Sequence, residues 1–261
     1  MAMFIVLLIL GLFGGFLSGL LGLGGAIIMI PLMLMVPKLL GVGALSMKAV
    51  AGLSMIQVVF ASFSGVIRHR KNRFVSMKLM LSLGVAMAIG SGFGSTISKY
   101  MSNELLMVAF GVIAVIAAVM MFIPPRTEDA ENITDPDSIE FNRILAIILG
   151  FIIGSLAGMV GAGGGFILIP VMIYILKIPI RVTIGTSLGI VFIGAVMGAI
   201  GKMATGQVDW LLALALIISS IPSAQLGSMV SKKTPALVLR YSLMLVIIFT
   251  SVEIWYKILA K

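Results

Sequence analysis

The stretch that decides the fold is GLGGAIIMIP at residues 22–31, and a second version, GAGGGFILIP, occupies residues 161–170. When residues 11–31 are aligned with residues 150–170, ten of the 21 positions are identical. Each copy places a cluster of glycines inside a long apolar run. Because glycine has no Cβ, it adopts positive φ angles easily and destabilises the interior of a helix. The motif therefore predicts a broken apolar helix that occurs twice.

The composition predicts an all-α polytopic membrane protein. Of the 261 residues, 61% are hydrophobic and 10% are charged, and the mean hydropathy is +1.24. A soluble domain of this size needs more polar surface, whereas apolar runs of about 20 residues match the thickness of a bilayer. The net charge of +9 then indicates basic cytoplasmic loops rather than a nucleic acid partner. Cysteine is absent, which excludes disulfides and thiolate metal sites.

We divide the chain into ten apolar segments, two of which are too short to cross a bilayer comfortably. They cover residues 4–21, 25–36, 46–67, 75–98, 103–123, 142–160, 164–176, 182–201, 209–230 and 234–257. As one helix, residues 4–36 would be about 50 Å long, against a hydrocarbon core of about 30 Å. We therefore predict broken or re-entrant helices in which 25–36 and 164–176 begin at depth. Whether these two segments fully cross the membrane stays open.

The two halves of the chain are predicted to be repeats. We assign residues 1–125 to a first transmembrane repeat, 126–143 to a polar linker and 144–261 to a second transmembrane repeat. After the glycine motif, the offset between equivalent residues falls from 139 to 133. Matched pairs then continue along the chain: Lys48 with Arg181, Gly52 with Gly185, Ser54 with Ser187, Gly65 with Gly198, Gly94 with Gly227 and Lys99 with Lys232. A collinear series of this length indicates duplication.

The distribution of basic residues favours an inverted arrangement of the repeats. If each motif region crosses the membrane once, 10 of the 18 Lys and Arg residues are cytoplasmic, and if it enters and returns, 12 are. The positive-inside rule favours the second arrangement. It predicts two inverted repeats of about five helical segments each, with both termini outside and a cytoplasmic linker. We expect a multi-pass protein of the cell (plasma or inner) membrane.

A helix that begins directly after a glycine break offers a site for an anion. Its first N–H groups have no partner within the helix, and the helix dipole is positive at that end. Bare backbone inside a membrane must be buried in protein or line a polar cavity, and transporters use such breaks to bind substrates. The predicted backbone ligands of the substrate are Gly24, Gly25, Ala26, Gly163, Gly164 and Gly165.

Four polar side chains inside apolar runs complete the predicted substrate site. They are Ser54, Gln57, Thr186 and Ser187, of which Ser54 and Ser187 are equivalent in the two repeats. Their hydroxyl and amide groups can donate hydrogen bonds to an oxyanion. For a serine, the alternative is a hydrogen bond to a neighbouring helix or to its own helix. The glycines spaced by four residues, at 11, 15, 19, 150, 154 and 158, are expected to serve close helix packing instead.

The doubled glycine motif ending in Ile-Pro, together with Gly185-Thr186-Ser187, resembles the TauE/SafE sulfite exporter family, also called the toluene sulfonate uptake permeases. The resemblance covers residues 4–257. It implies a multi-pass transporter of small sulfur-containing anions such as sulfite, sulfonates or sulfoacetate, in either direction. It does not extend to the thiosulfate-uptake type, which depends on membrane cysteines that this chain lacks.

Together, these observations predict a permease: a secondary carrier that binds a small anion between its repeats and works by alternating access. A passive anion channel and a membrane scaffold without transport activity are the alternatives. An enzyme is not expected, because the apolar runs hold no cluster of His, Cys or carboxylate side chains. We expect no cofactor and no metal. The expected partners are the anion and the lipid bilayer, while the coupling ion (a proton or another ion) and the oligomeric state stay open.

Overall fold

The computed structural model describes residues 1–71, 75–122 and 136–259, and these residues form ten α-helices joined by short connections. The helices are α1 (Ala2–Leu21), α2 (Ala26–Leu39), α3 (Met47–Lys71), α4 (Met77–Ile97), α5 (Asn103–Met121), α6 (Arg143–Val160), α7 (Gly165–Pro170), α8 (Ile180–Ala204), α9 (Trp210–Lys233) and α10 (Ala236–Leu259). The all-α prediction is confirmed. Of the predicted polar linker, residues 126–135 lie outside the described residues, and Pro136–Ser138 forms a 3₁₀ turn.

Eight of the described helices are long and apolar enough to cross a membrane, judged by length and composition. The other two, α2 and α7, follow the glycine motifs, as the sequence predicts. α2 has 14 residues, which corresponds to about 21 Å of helix. α7 continues from Pro170 into a turn of π-helix, Val171–Ile175. Pro170 has no N–H to donate, which favours a change of helical pitch at that point.

The glycines spaced by four residues bring two pairs of helices into backbone contact. A Cβ added to Gly154 on α6 would overlap the carbonyl oxygen of Met87 on α4, and one added to Gly19 on α1 would overlap that of Ala224 on α9. The same register recurs in both pairs. In the first pair, the backbone of α9 contacts α1 with Leu216 next to Gly11, Ser220 next to Gly15 and Ala224 next to Gly19. In the second pair, the backbone of α4 contacts α6 with Leu83 next to Gly150, Met87 next to Gly154 and Ser91 next to Gly158. Each of these partners is related to its counterpart by the offset of 133.

The helices α3 and α8 form the centre of the molecule and run in opposite directions where they touch. Gly198, near the end of α8, faces Met55, near the start of α3. Gly189 faces Val66, further along α3. The rings of Phe63 and Phe192 lie between these points, with centroids 5.3 Å apart. Both helices are more deeply buried than any other candidate span in the described residues.

The helix α2 folds back along α1 instead of continuing its direction. Its residue Met29 packs against Gly14, and a Cβ on Gly25 would lie 2.5 Å from the Gly14 carbonyl oxygen. Beyond α2, Gly43 lies within reach of the side chain of Met3, near the start of α1. The first glycine motif is therefore the tip of a hairpin, which agrees with the prediction of a re-entrant segment.

We predict that Gly94→Ala lowers the melting temperature in detergent, whereas Gly92→Ala, on the same helix, does not. A Cβ at Gly94 would overlap the carbonyl oxygen of Ser155 on α6, while at Gly92 the nearest atoms, on Met197, are 3.9 Å away. Overpacking costs about 1–3 kcal/mol, and alanine is otherwise favoured over glycine in a helix by up to about 1 kcal/mol. Thermal unfolding followed by gel filtration measures both variants, and equal melting temperatures would contradict the packing role.

Candidate functional site

Both glycine motifs interrupt the helix with consecutive left-handed turns. We name residues 22–25 the first break and residues 161–164 the second break. Their positive φ angles range from 63° to 82° and occur at Gly22, Gly24, Gly25, Gly161, Gly163 and Gly164. Side chains with a Cβ rarely adopt this conformation, so these positions require glycine. The equivalent residues of the two copies thus share one backbone path.

The two breaks meet in the interior, against the same residue of α3. Gly24 and Gly163 both lie against the side chain of Val58, and Gly24 also lies against Val191 on α8. A Cβ on Gly165 would overlap the carbonyl oxygen of Leu23, so the second break packs directly on the first. All residues from 21 to 31 and from 161 to 173 are buried. The predicted backbone ligands are therefore brought together in one enclosed region.

The backbone N–H groups at the two breaks point to a site for hydrogen-bond acceptors. Gly25 caps the start of α2 and Gly164 caps the start of α7, and neither helix start has a side-chain cap. Among the described residues, no acceptor is found for the amides of Gly24, Gly25, Gly163 and Gly164. Ala26 is the first residue of α2 and is fully buried. These donors are concentrated where the positive ends of two helix dipoles approach each other.

Ser54 and Ser187 hold the breaks of the opposite half of the chain. The hydroxyl of Ser54 donates to the carbonyl oxygen of Gly161 at 2.6 Å, and that of Ser187 donates to the carbonyl oxygen of Gly22 at 2.9 Å. Both serines are fully buried. In this structure their hydroxyl protons are thus engaged with backbone, so each serine positions a break.

Thr186 joins the neighbourhood of the first break to the linker. Its Oγ1 accepts a hydrogen bond of 3.0 Å from the N–H of Ser76, whose own hydroxyl donates to Asp137 at 2.9 Å. Partial burial raises the pKa of Asp137. The hydrogen bonds from the Lys78 N–H, the Ser76 hydroxyl and the Met77 N–H outweigh it and, with the charge of Lys78, hold that pKa below its usual value. The linker is thereby fastened to α4 and α8 at one end of the molecule.

Two buried polar side chains at the first break lack a hydrogen-bond partner among the residues that the structure describes. They are Gln57, for which both Oε1 and Nε2 are unpaired, and Ser18, whose hydroxyl is unpaired. The sequence predicts a role for Gln57 but not for Ser18, which lies in an apolar run on a glycine-rich helix. A serine near the end of a helix that breaks one turn later is the signal that would have identified it.

Lys202 is a further buried polar residue, and the sequence did not predict a role for it. It is fully buried near the end of α8, and its ammonium donates to the Ser98 hydroxyl at 2.6 Å and to the carbonyl oxygen of Met159 and Oε1 of Gln207, both at 3.1 Å. The helices α4, α6 and α8 all end there, so their negative dipole ends face this charge. A lysine within an apolar run was the available signal.

Comparison with known proteins gives one family across nearly the whole chain. Residues 7–254 match the family model described as sulfite exporter TauE/SafE. The chain is 24% identical to the probable membrane transporter protein YunE of Bacillus subtilis, covering 97% of this chain and 98% of that protein. It is 28% identical to the probable membrane transporter protein YdhB of the same organism, covering 94% and 96%.

A probable membrane transporter protein of Methanocaldococcus jannaschii is 25% identical over 87% of this chain and 86% of its own length. No solved structure matches the chain. The family match includes both breaks and the whole of the helices α2 to α9. This chain therefore belongs to the TauE/SafE sulfite exporter family of membrane transporters.

Proposed function

We propose that this protein is a secondary carrier for a small sulfur-containing anion, such as sulfite, a sulfonate or sulfoacetate. The anion binds between the two repeats, where the first and second breaks meet, and backbone N–H groups supply most of its contacts. The convergence of Gly24 and Gly163 on Val58 is the observation that carries the proposal. The family's description as sulfite exporters supports a sulfur oxyanion as the cargo.

The proposed site divides its residues between contact and positioning. The amides of residues 24–26 and 163–165 contact the anion, and the side-chain amide of Gln57 joins them from α3. Ser54 and Ser187 act by holding the Gly161 and Gly22 carbonyls, which keeps the adjacent amides directed inward. Unpaired amides in a low-dielectric interior are strong donors to an anion because they have no competing water.

In this proposal, residues 1–125 and 144–261 are inverted repeats joined by a cytoplasmic linker at residues 126–143. The opposite directions of the equivalent helices α3 and α8 support inversion, because repeats related by an axis along the membrane normal would run in parallel. The exchanged contacts also support a two-fold relation, since α1 packs on α9 as α6 packs on α4.

The positions of the two serine bonds support a proposed alternating-access mechanism. Ser187 lies near the start of α8 and Ser54 near the start of α3, and these starts are at opposite ends of the central helix pair. Breaking the Ser187–Gly22 bond would expose the anion to one face of the membrane, and breaking the Ser54–Gly161 bond would expose it to the other. The buried breaks correspond to a state closed on both faces.

We predict that Gly24→Ala and Gly163→Ala reduce sulfite uptake into proteoliposomes at least tenfold. Both substitutions strain a positive φ and push a Cβ against Val58, at 3.0 and 2.5 Å respectively, which displaces the neighbouring amides. Uptake of labelled sulfite is measured against concentration. Saturation supports a carrier, whereas flux that stays linear supports a passive channel.

The matched controls are Gly41→Ala and Gly206→Ala. These glycines also have positive φ angles, of 68° and 70°, but no atom of the described part of the chain lies within 4 Å of an added Cβ. The control variants have the same kind of backbone strain as the site variants, and they are expected to retain sulfite uptake. Wild-type uptake by a folded Gly24→Ala or Gly163→Ala variant would refute the assignment of the site, and absence of anion flux in the wild type would refute the carrier.

We predict opposite membrane sidedness for Lys99 and Lys232, which are equivalent positions in the two repeats. Both are exposed, and the chain has no native cysteine, so Lys99→Cys and Lys232→Cys are single labelling sites. An impermeant maleimide applied to intact cells should label position 99, and position 232 only after permeabilisation. Labelling of both positions from the same face would contradict inverted repeats.

A further inference from the structure

The unpaired side chains of Ser18 and Gln57 lie at the start of one helix. Ser18 is on α1 and its Cβ is 3.3 Å from the position of a Cβ on Gly25, the residue that caps α2. Gln57 is on α3, and its Nε2 is 2.6 Å from the position of a Cβ on Gly14, whose carbonyl also faces Gly25. Both side chains therefore flank the turn from which the first N–H groups of α2 project.

Buried polar atoms without partners are rare and costly in folded proteins, and more so inside a membrane. Gln57 and Ser18 are each fully buried and together leave three polar atoms unpaired among the described residues. The two orientations of the Gln57 amide group are equivalent in this respect, because both of its ends lack a partner. Two such residues near one glycine break indicate a ligand-binding function rather than a packing function.

The second repeat lacks this polar pair. At the offsets of 139 and 133, the equivalents of Ser18 and Gln57 are Ala157 and Ile190. Ala157 and Ile190 are buried as well, so the same backbone arrangement is lined by apolar groups there. The helix after the second break is also shorter, with six α-helical residues before the π-helical turn. The two breaks share a backbone path but offer different chemistry.

The chemistry of the pair restricts the form of the ligand. The N–H groups of α2 and Nε2 of Gln57 only donate hydrogen bonds, so they match acceptor oxygens of an anion. Oε1 of Gln57 only accepts, so it requires a donor from the ligand. A fully deprotonated oxyanion offers no donor, whereas a singly protonated oxyanion offers one O–H and several acceptor oxygens. The hydroxyl of Ser18 can match either kind of group.

We propose that the first break, with Ser18 and Gln57, selects the singly protonated form of a small oxyanion, of the hydrogen sulfite type, over fully deprotonated oxyanions and organosulfonates. This inference rests on the proposed carrier function and adds the identity of the bound species. The substrate O–H donates a hydrogen bond to Oε1 of Gln57, and its covalent O–H bond stays intact throughout. The proton crosses the membrane on the substrate, which suits a first repeat with no Asp or Glu before Glu104.

Other charged groups lie on the elements that surround the first break, and the experiment must separate their titration from that of the substrate. They are the amino terminus before α1; Lys38 on α2; Lys48, Arg68, His69, Arg70 and Lys71 on α3; Arg181 and Lys202 on α8; Asp209, which caps α9, and Lys232 and Lys233 on α9; and Arg240, Glu253 and Lys257 on α10. The pair Glu253–Lys257, at 3.2 Å, reaches α2 because Lys257 donates to the carbonyl oxygen of Pro31.

The test compares uptake of labelled sulfite and methanesulfonate into proteoliposomes across a pH series, for wild type and matched variants. Gln57→Met and Ser18→Ala remove the polar groups of the first break. Ile190→Met and Ala157→Ser alter the equivalent positions of the second repeat, where Ala157→Ser adds the hydroxyl that Ser18 has in the first, and Glu253→Gln removes the carboxylate near α2. Folding is checked for each variant by gel filtration.

At a fixed total concentration well below the KM, wild-type uptake of sulfite should follow the fraction of hydrogen sulfite, and so fall about tenfold per pH unit well above the pKa of that species. Methanesulfonate, which has no titratable proton in this range, should be taken up more weakly and without this pH dependence.

Gln57→Met should raise the KM for sulfite at least tenfold and abolish the discrimination between the two anions. Ser18→Ala should raise the KM for sulfite but keep the discrimination between the two anions. The second-repeat variants and Glu253→Gln should retain the wild-type pH profile.

Saturable wild-type uptake without pH dependence, or a wild-type KM in folded Gln57→Met, would overturn this inference and leave the proposed carrier intact. A pH profile abolished by Glu253→Gln would assign the proton to the protein and likewise overturn it. Absence of uptake of either anion by the folded wild type would overturn both proposals.

Discussion

Backbone groups that leave a helix inside a membrane must find partners, and this requirement organises the protein. Each break releases carbonyls and amides where no water is present. Two of these carbonyls are paired by side chains from distant segments, since the Ser187 hydroxyl donates to the Gly22 carbonyl and the Ser54 hydroxyl to the Gly161 carbonyl. The amides of Gly24 and Gly163 have no acceptor among the described residues. These amide donors, together with the positive ends of the helices that follow them, suit an anion.

Glycine performs two separate tasks in this fold, and they depend on each other. Glycines such as Gly154 let α6 approach the backbone of α4, and their counterparts let α1 approach α9. Glycines such as Gly163 supply the left-handed turns that end one helix and start the next. Close approach is what brings the second break against Leu23 of the first, because Gly165 leaves space for that carbonyl. A larger residue in either set would separate the two breaks.

The two halves of the chain have similar scaffolds with different linings. The backbone turns, the register of the glycine faces and the two serine bonds are repeated with little change. The polar side chains that surround them are not repeated, since Gln57 and Lys202 have no equivalents of the same type at Ile190 and His69. In the proposed carrier, the similar scaffolds allow opening to both faces, and the different linings allow one break to determine which ligand is bound.

Much of this architecture could be predicted from the sequence. The eight spans, the two short helices after the motifs and the packing of Gly11, Gly15 and Gly19 follow from local properties: segment length, apolarity and the missing Cβ of glycine. What only the tertiary structure decided is which distant groups meet. Ser54 is separated by 107 residues from the carbonyl it binds, and Lys202 by 104 from Ser98. Whether a buried polar atom is paired or unpaired depends on such contacts, so sequence could suggest Gln57 but could not show that it and Ser18 lack partners.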